Sequence, residues 1–376
     1  MSNRYLAGFV QDGLFNPLVA PTGTTYYNLY GWGSNANGQL GLGNVINYSS
    51  PKQIGSLTTW SSIAGGEQFV TAIKTDGTLW AWGWNPYGNL GLGNTTFYSS
   101  PKQVGSLTSW SNISAGAMHT IATKKDGTLW SWGRNIYGQL GLGNKTYYSS
   151  PKQVGSLTTW LNVACGDMYT LATKTDGTLW SWGLDNYGQL GLGNITYYSS
   201  PKQVGGLTAW VSVSTSGRTV LAITNGKTLW SWGKNTIGQM GVNSATRYYS
   251  SPKQVGSLST WKTISSFSDH SVAIKTDGTL WAWGYNQYGQ LGLGNTTSYS
   301  SPKQVGSLTT WLSVAGVEYF RTATKTDGTL WAWGDNFYGQ LGLGNLIRYS
   351  SPKQVGSLTS WINVVSTYRY FTSAVG

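Results

Sequence analysis

Cysteine, histidine and acidic side chains are scarce in this chain of 376 residues. It has one cysteine, Cys165, with two histidines and 12 acidic residues against 24 lysines and arginines. A single cysteine excludes an intrachain disulfide and any metal site built from several thiolates. The acidic residues outside the turns stand singly, so no pair of neighbouring carboxylates is present of the kind a glycosidase needs. These absences predict a protein without a catalytic centre, a bound metal or a cofactor.

Long apolar runs and helical periodicity are also missing. No segment approaches the roughly 18 consecutive apolar residues of a membrane-spanning helix, so we predict no membrane span. The first 21 residues lack a basic segment followed by an apolar run, which predicts synthesis in the cytoplasm without a secretory signal. No stretch has the period of about 3.6 residues that marks an amphipathic helix. The fold is therefore expected to be all-β.

What the chain has instead is a repeat of about fifty residues. The pair Trp-Gly begins at Trp32, Trp82, Trp132, Trp182, Trp232, Trp283 and Trp333. Within a unit, two runs rich in β-branched and aromatic residues, such as FVTAIK (69–74) and TLWAWG (78–83), are joined by TDG, which is a hairpin signal. Seven small antiparallel sheets of this kind predict a seven-bladed β-propeller over residues 25–376.

The two ends of the chain complete one repeat unit between them. Residues of roughly 26–33 hold a Trp-Gly strand without the strand that precedes it elsewhere, and residues of roughly 369–375 supply that strand. We predict that these N-terminal and C-terminal strands pair within one blade and close the ring, because closure removes two exposed sheet edges. Residues 1–24 lie outside every unit and are predicted to form an N-terminal arm.

Aromatic residues recur at fixed places in the unit. Trp80 and Trp82 are two apart in a strand and so point to the same face, and their recurrence predicts that they fill the space between neighbouring blades. His119 and His270 hold a position that other units give to Phe69, Tyr169, Phe320 and Tyr370. That exchange indicates packing and not acid–base chemistry. The glycine-rich segment leads into serines and a proline, not a helix, so it does not predict a phosphate loop.

The repeat resembles that of the regulator of chromosome condensation family. The likeness rests on WGxNxxGQLGLG preceded by DGTLWSW, and on the upstream segments SAGAMHTIAT (114–123) and ACGDMYTLAT (164–173). It covers residues of about 26 to 376 and implies the same propeller fold. The family includes nucleotide exchange factors for a small nuclear GTPase, a plant ultraviolet-B photoreceptor, ubiquitin-ligase modules and a secreted bacterial β-lactamase inhibitor. The resemblance therefore leaves the function open.

Some of those uses conflict with this sequence. The photoreceptor use requires a Trp-Arg pair after the glycine of the segment near residue 66, and no unit has a tryptophan there. The exchange factors have a projecting hairpin and the chromatin-binding members a basic tail, whereas these units are nearly equal in length and residues 1–24 contain only Arg4 as a basic residue. The use as a single-domain bacterial inhibitor conflicts with nothing in the chain and is the closest.

Seven copies in one chain show which positions vary. Variation concentrates after Trp-Gly, in the triplets after GLGN, and in the segment around 65–70 and its equivalents. Clustered change on a constant frame is typical of a binding surface, although unselected drift after duplication is the alternative. Aromatic and arginine side chains, the usual anchors of interfaces, are frequent there. The candidate binding residues are Glu67, Trp84, Tyr87, Met118, Arg134, Tyr137, Asp167, Leu184, Arg218, Lys234, Asp269, Tyr285, Glu318, Tyr319, Asp335, Phe337 and Arg369.

We interpret the protein as a non-enzymatic binding or structural display module that recognises a protein or glycan through varied loops on one face. The finer hypothesis is a virion-associated or cell-surface adhesion component whose arm at 1–24 docks onto a larger assembly. A protein inhibitor or regulatory partner binder is the first alternative. A nucleotide exchange factor or DNA-binding propeller is the second, because a lysine recurs in every SPKQ. Nucleic acid is the less favoured partner, since these lysines are spread over all units.

Overall fold

The computed structural model describes residues 28–56, 59–215, 217–267, 269–316, 318–361, 363–367 and 371–375. The predicted arm at 1–24 lies outside the described residues. The described chain contains 28 strands and no helix, and the strands form seven four-stranded antiparallel sheets.

The strands follow one another blade by blade, and blade 1 is shared by the two ends of the chain. It starts with β1 (Leu29–Gly33) and β2 (Tyr48–Gln53). Blade 2 has β3 (Trp60–Gly65), β4 (Phe69–Lys74), β5 (Leu79–Gly83) and β6 (Tyr98–Gln103). Blade 3 has β7 (Trp110–Ala115), β8 (His119–Lys124), β9 (Leu129–Gly133) and β10 (Tyr148–Gln153). Blade 4 has β11 (Trp160–Cys165), β12 (Tyr169–Lys174), β13 (Leu179–Gly183) and β14 (Tyr198–Gln203).

The remaining blades repeat this order. Blade 5 has β15 (Trp210–Thr215), β16 (Thr219–Thr224), β17 (Leu229–Lys234) and β18 (Tyr248–Gln254). Blade 6 has β19 (Trp261–Ser266), β20 (His270–Lys275), β21 (Leu280–Gly284) and β22 (Tyr299–Gln304). Blade 7 has β23 (Trp311–Gly316), β24 (Phe320–Lys325), β25 (Leu330–Gly334) and β26 (Tyr349–Gln354). Blade 1 is completed by β27 (Asn363–Thr367) and β28 (Phe371–Val375).

The ring closes as the sequence predicts. Strand β28 pairs with β1 in antiparallel register, from Leu29 opposite Val375 to Gly33 opposite Phe371. The first strand of each sheet contacts the first strand of the next, and β27 contacts both β23 and β3, so these seven strands surround the axis. The seven-bladed, all-β propeller is therefore confirmed.

One equivalence read from the sequence is corrected by the register. Counting from the tryptophans assigns Tyr370 to the position of Phe69. In the structure Phe371 lies opposite Gly33, as Phe69 lies opposite Gly83. Pairing with β1 therefore sets the register of β28 one residue later than this count predicts.

In each blade, the tryptophan of the Trp-Gly pair donates a hydrogen bond from its indole to the preceding blade. The side chain of Trp82 is fully buried, and its Nε1 donates a hydrogen bond of 2.9 Å to the carbonyl of Gln39 in blade 1. The equivalent bonds join Trp32 to Gln340, Trp132 to Asn89, Trp182 to Gln139, Trp232 to Gln189, Trp283 to Gln239 and Trp333 to Gln290, at 2.9–3.0 Å. These tryptophans do lie between blades, and their N–H groups are satisfied there.

Trp80 lies in the same strand as Trp82 and on the same face. It is half-buried, and the Nζ of Lys74 stands 3.7 Å from the centroid of its ring. Trp60 packs edge-on against both tryptophans, with ring centroids 6.2 Å from Trp80 and 6.0 Å from Trp82. Trp82 is therefore buried between blades, whereas the ring of Trp80 is covered by the ammonium group of Lys74.

Gly83 allows the chain to leave β5 beside the start of β4. Its φ is +100°, and a Cβ there would lie 2.5 Å from the carbonyl oxygen of Gln68. Gly83→Ala is expected to lower the free energy of unfolding by about 2–3 kcal/mol through strain and this close approach. Gly55→Ala is the matched control, because Gly55 also has positive φ, +63°, but open space around it, and should cost about 1 kcal/mol. Urea unfolding midpoints measure both, and equal losses would show that the approach to Gln68 is unimportant.

Candidate partner-binding face

Two of the variable regions meet at one end of the blades. In blade 2, the N–H of Trp84, just after β5, donates to the carbonyl of Gln68, just before β4, at 2.8 Å. Corresponding bonds join Arg134 to Met118, Leu184 to Met168, Lys234 to Arg218, Tyr285 to Asp269 and Asp335 to Tyr319, at 2.8–2.9 Å. We call this end of the propeller the loop face. It consists of the inner loops (66–68 and equivalents) and the outer loops (84–97 and equivalents).

The third variable region is the triplet after GLGN, at the end of each outer loop, and it contacts the neighbouring blade. The ring of Tyr87 in blade 2 packs edge-on against Tyr147 of blade 3, with centroids 5.6 Å apart. Tyr137 of blade 3 meets Tyr197 of blade 4 in the same way, at 5.5 Å. The triplet after GLGN in one blade therefore lies against the outer loop of the blade before it.

Arginines stack on outer-loop tyrosines across blade boundaries. The guanidinium of Arg134 lies 5.0 Å from the centroid of Tyr87, and that of Arg348 lies 4.8 Å from Tyr288. Arg218 lies 5.1 Å from the centroid of Tyr187 and donates from Nη1 to its hydroxyl at 3.3 Å. Such contacts contribute about 0.5–1 kcal/mol each at exposed sites. They restrict the side chains of these arginines and tyrosines to fixed orientations.

Two ion pairs lie on this face. Lys234 Nζ lies 2.9 Å from Asp269 Oδ1, joining blades 5 and 6. Arg348 Nε lies 2.6 Å from Asp335 Oδ1, whose other oxygen accepts from Gln340 Nε2 at 3.0 Å. Asp335 is only 4% exposed because this pairing draws it beneath Arg348. It orients the side chain of Arg348.

The other predicted residues differ in how far they reach solvent. Phe337 is 65% exposed, whereas Met118 and Leu184 are 6% and 7% exposed and offer little to a partner. Met118 is covered because its loop lies against the next one, where Ala117 N–H donates to the Asp167 carbonyl at 3.1 Å. The half-buried residues include Glu67, Trp84, Asp167, Tyr285, Glu318 and Tyr319. Arg369 lies outside the described residues.

The structure adds residues that were not among the predicted contacts. Arg348, Tyr147 and Tyr197 belong to the face through the contacts above. All three end the triplets after GLGN, which the comparison of units had identified as variable. The signal was present in the sequence, but only the contact between neighbouring blades shows what these residues touch.

Beneath the loop face lies a ring of buried groups that burial keeps neutral. Desolvation lowers the pKa of His119 to about 3 and lowers that of His270 well below its usual value, with Arg321 acting in the same direction. Desolvation also raises the pKa of the Cys165 thiol to about 12 and raises that of Tyr169. None of these four groups exchanges a proton near neutral pH.

The described residues contain no group of three or more histidine, cysteine or acidic side chains placed to hold a metal ion. In the same part of the chain, no helix is long and apolar enough to cross a membrane.

The repeated lysines lie away from the loop face. Each SPKQ lysine is on the outermost strand of its blade, with Nζ 5.4–5.7 Å from the centroid of a tyrosine ring in that strand. The positive charge is therefore spread around the circumference, one lysine to a blade.

Fold and loop face together define a seven-bladed repeat propeller with a varied surface at one end. The RCC1-like domain model matches residues 110–376, and the regulator of chromosome condensation (RCC1) repeat matches residues 28–73 and 76–123, with a second repeat model at 60–89. The chain belongs to the RCC1-like family, which confirms the resemblance found in the sequence. A search of the curated proteins finds no match to this chain.

Solved structures show the same fold at low sequence identity. Human WBSCR16 is similar with a TM-score of 0.83 and 21% identity, over 93% of this chain and 98% of that one. Prp20p from Saccharomyces cerevisiae, described with its binding properties to Gsp1p and histones, gives 0.83 and 19%, over 94% and 92%. The yeast RCC1 (Prp20) bound to Kap60 gives 0.84 and 18%, over 100% and 94%. At these identities the likeness concerns the fold alone.

Proposed function

We propose that this propeller is a non-enzymatic module that binds a protein partner through its loop face. The observation that supports it most is the set of arginine and tyrosine side chains stacked across blade boundaries, with Phe337 exposed beside them. Aromatic and arginine side chains on a rigid frame are the usual anchors of protein interfaces. Prp20p, a similar propeller, is described as binding Gsp1p and histones, which is consistent with this class of function.

The finer expectation of a virion-associated or cell-surface adhesion component is part of the proposal. A rigid ring that presents varied side chains from one face suits display on a larger assembly. A glycan is the competing ligand, because aromatic rings with scattered polar groups also suit sugars. A protein partner is favoured over a glycan because the loop-face tyrosine rings pack edge-on against one another or carry a stacked arginine. The ring faces on which a sugar would stack are therefore partly covered.

The test compares two double variants, one altered on the loop face and the other on the opposite face of the propeller. Phe337→Ala with Arg134→Ala removes two loop-face anchors, and Leu107→Ser with Leu157→Ser changes exposed leucines in the β6–β7 and β10–β11 connections. Partners that co-purify with the wild-type protein from its native source are identified, and their dissociation constants are measured by interferometry. We expect the loop-face variant to weaken binding about 30-fold or more, as for loss of an interface anchor. The leucine variant should bind as the wild type does.

Two results would contradict the proposal. One is a partner whose affinity falls with the leucine variant and not with the loop-face variant. The other is a glycan array on which the loop-face variant loses binding while no protein partner is affected, which would favour the glycan reading.

A further inference from the structure

A cavity lies at the junction of blades 5 and 6, and it shares with the loop face only the end of the blade 5 outer loop. It has a volume of about 350 Å³, at the lower end of the range for small-molecule sites. One wall is the end of the blade 5 outer loop, Gly241 to Asn243, and another is the connection around Val255 and Leu258. The third wall is formed by Trp261, Lys275 and Trp281 of blade 6.

The blade 5 loop departs from the repeat where it lines this cavity. Other units place a leucine and a glycine where this loop has Val242 and Asn243, and this unit carries the additional residue. Leu142, the equivalent of Val242 two junctions earlier in the ring, packs on the cluster that holds Trp160 and Trp182. The shorter side chain of Val242 leaves the equivalent space in front of Trp281 less filled.

Asn243 connects the altered loop to blade 6 by hydrogen bonds. Its backbone has φ of +49°, and its N–H donates to the carbonyl of Ser300 at 3.0 Å. Its Oδ1 accepts from the hydroxyl of Ser300 at 3.1 Å. The wall is thus held by two bonds to the same residue, and the cavity is preformed.

The side chain of Lys275 lines this cavity and is largely covered by tryptophan rings. Lys275 is 8% exposed, with Nζ 3.6 Å from the centroid of Trp281 and 5.1 Å from that of Trp261. Its Nζ donates no hydrogen bond and forms no ion pair with any described residue. Desolvation lowers the pKa of Lys275, while Asp277 acts in the opposite direction. An ammonium group that has lost part of its hydration is stabilised by an anion with hydrogen-bond acceptors.

We propose that this cavity binds a small organic carboxylate with an apolar body. The apolar part packs against Val242, Leu258 and the two tryptophans. The carboxylate accepts hydrogen bonds from Lys275 Nζ at the inner end. The inference concerns a second site and does not depend on the partner-binding face.

The chain itself supplies the variants that test this site. Val242→Leu restores the residue of the other units and fills the cavity. Lys275→Thr reproduces blade 5, where Thr224 stands at the equivalent position, so both variants use arrangements that this fold already accommodates. Lys174→Thr is the matched control, because Lys174 makes the same contacts in blade 4, with Nζ 3.8 Å from Trp180.

The probe is phenylacetate, with phenylacetamide as its uncharged analogue, and binding is measured by saturation-transfer NMR titration. We expect phenylacetate to bind the wild type and the Lys174→Thr variant equally. Val242→Leu and Lys275→Thr should each weaken it about tenfold or more, as for a lost charged hydrogen bond or a filled pocket. Phenylacetamide should bind at least about tenfold more weakly than phenylacetate.

Each contrary result overturns the proposal. No binding up to about 10 mM, a dissociation constant near the weak limit of specific recognition, would show that the cavity takes no such ligand. Unchanged binding to Val242→Leu would place the ligand elsewhere. Equal affinity for the acid and the amide would show that Lys275 does not select an anion.

Discussion

Trp182→Ala is expected to lower the free energy of unfolding by about 3–5 kcal/mol, the usual cost of emptying a buried aromatic site. Trp182 is completely buried between blades 3 and 4. Its ring centroid lies 6.0 Å from that of Trp160, and its Nε1 donates to the carbonyl of Gln139 at 2.9 Å. The substitution therefore removes both packing and a bond between blades. Urea unfolding followed by circular dichroism measures the loss.

Trp182→Phe retains part of the packing. It keeps a six-membered aromatic ring and removes the N–H together with the rest of the smaller ring, while the Gln139 carbonyl still accepts from Thr170 Oγ1 at 2.9 Å. A loss of about 2–3 kcal/mol is expected, from one hydrogen bond and a small cavity. If Trp182→Ala cost no more than Trp182→Phe, packing between blades would not be what stabilises the ring.

Asp185→Asn is expected to stabilise the protein above neutral pH by about 2–4 kcal/mol. Six units have asparagine at this position. In blade 2, Asn85 Oδ1 accepts from Leu90 N–H at 2.9 Å, and Asn85 Nδ2 donates to the carbonyls of Asn94 and Thr96 at 3.0 Å. Asp185 Oδ1 accepts from Leu190 N–H at 3.1 Å, but its buried Oδ2 has no partner. An ionised carboxylate cannot donate to the loop carbonyls as asparagine does.

The pH dependence follows from the pKa of Asp185. Desolvation raises it from 3.8 to about 7, while the bond from Leu190 N–H acts in the opposite direction. Below pH 3.8 the carboxyl is protonated in both folded and unfolded chains, so it carries no penalty. Between pH 3.8 and 7 the unfolded chain loses the proton first, and stability falls. Above pH 7 the penalty is complete, so the gain from Asp185→Asn should be largest at pH 8 and less than half as large at pH 5.

Asn135→Asp is the matched control in the neighbouring blade. Asn135 makes the same bonds, with Nδ2 donating to the carbonyls of Asn144 and Thr146 at 3.0 Å. A carboxylate there should reproduce the loss at pH 8 and leave stability at pH 4 nearly unchanged. Thermal melts at pH 4, 5 and 8 compare the variants, and a gain from Asp185→Asn independent of pH would contradict the assignment.

Much of the fold could be read from the chain because its determinants are local and repeated. Hairpins such as 69–83 are joined by TDG, and the Trp-Gly pairs count the blades. The half units at the two ends predict closure because an open array would leave two strand edges unpaired. The placement of Trp82 between blades followed from period-two alternation in a strand.

The exposed residues of the candidate site were harder to predict from the sequence than the fold. Variation between units correctly identified three regions that meet on one face, because equivalent positions in a ring of equal blades lie at the same end. It did not separate Phe337, which is exposed, from Leu184 and Met118, which are buried. A residue's position in the repeat gives its blade and its end of the strand, but not the neighbouring loop that covers it.

The class of fold and the number of blades could be predicted from patterns within about fifty residues, and the closure of the ring from the half units at the two ends. The stacking of Arg348 on Tyr288 and the cavity beside Lys275 could be seen only in the folded protein. Both lie between two blades, so their geometry depends on how two sheets pack, and no local pattern in the chain specifies that. The pairing of Arg348 with Asp335 lies within blade 7 and depends on the path of a single loop.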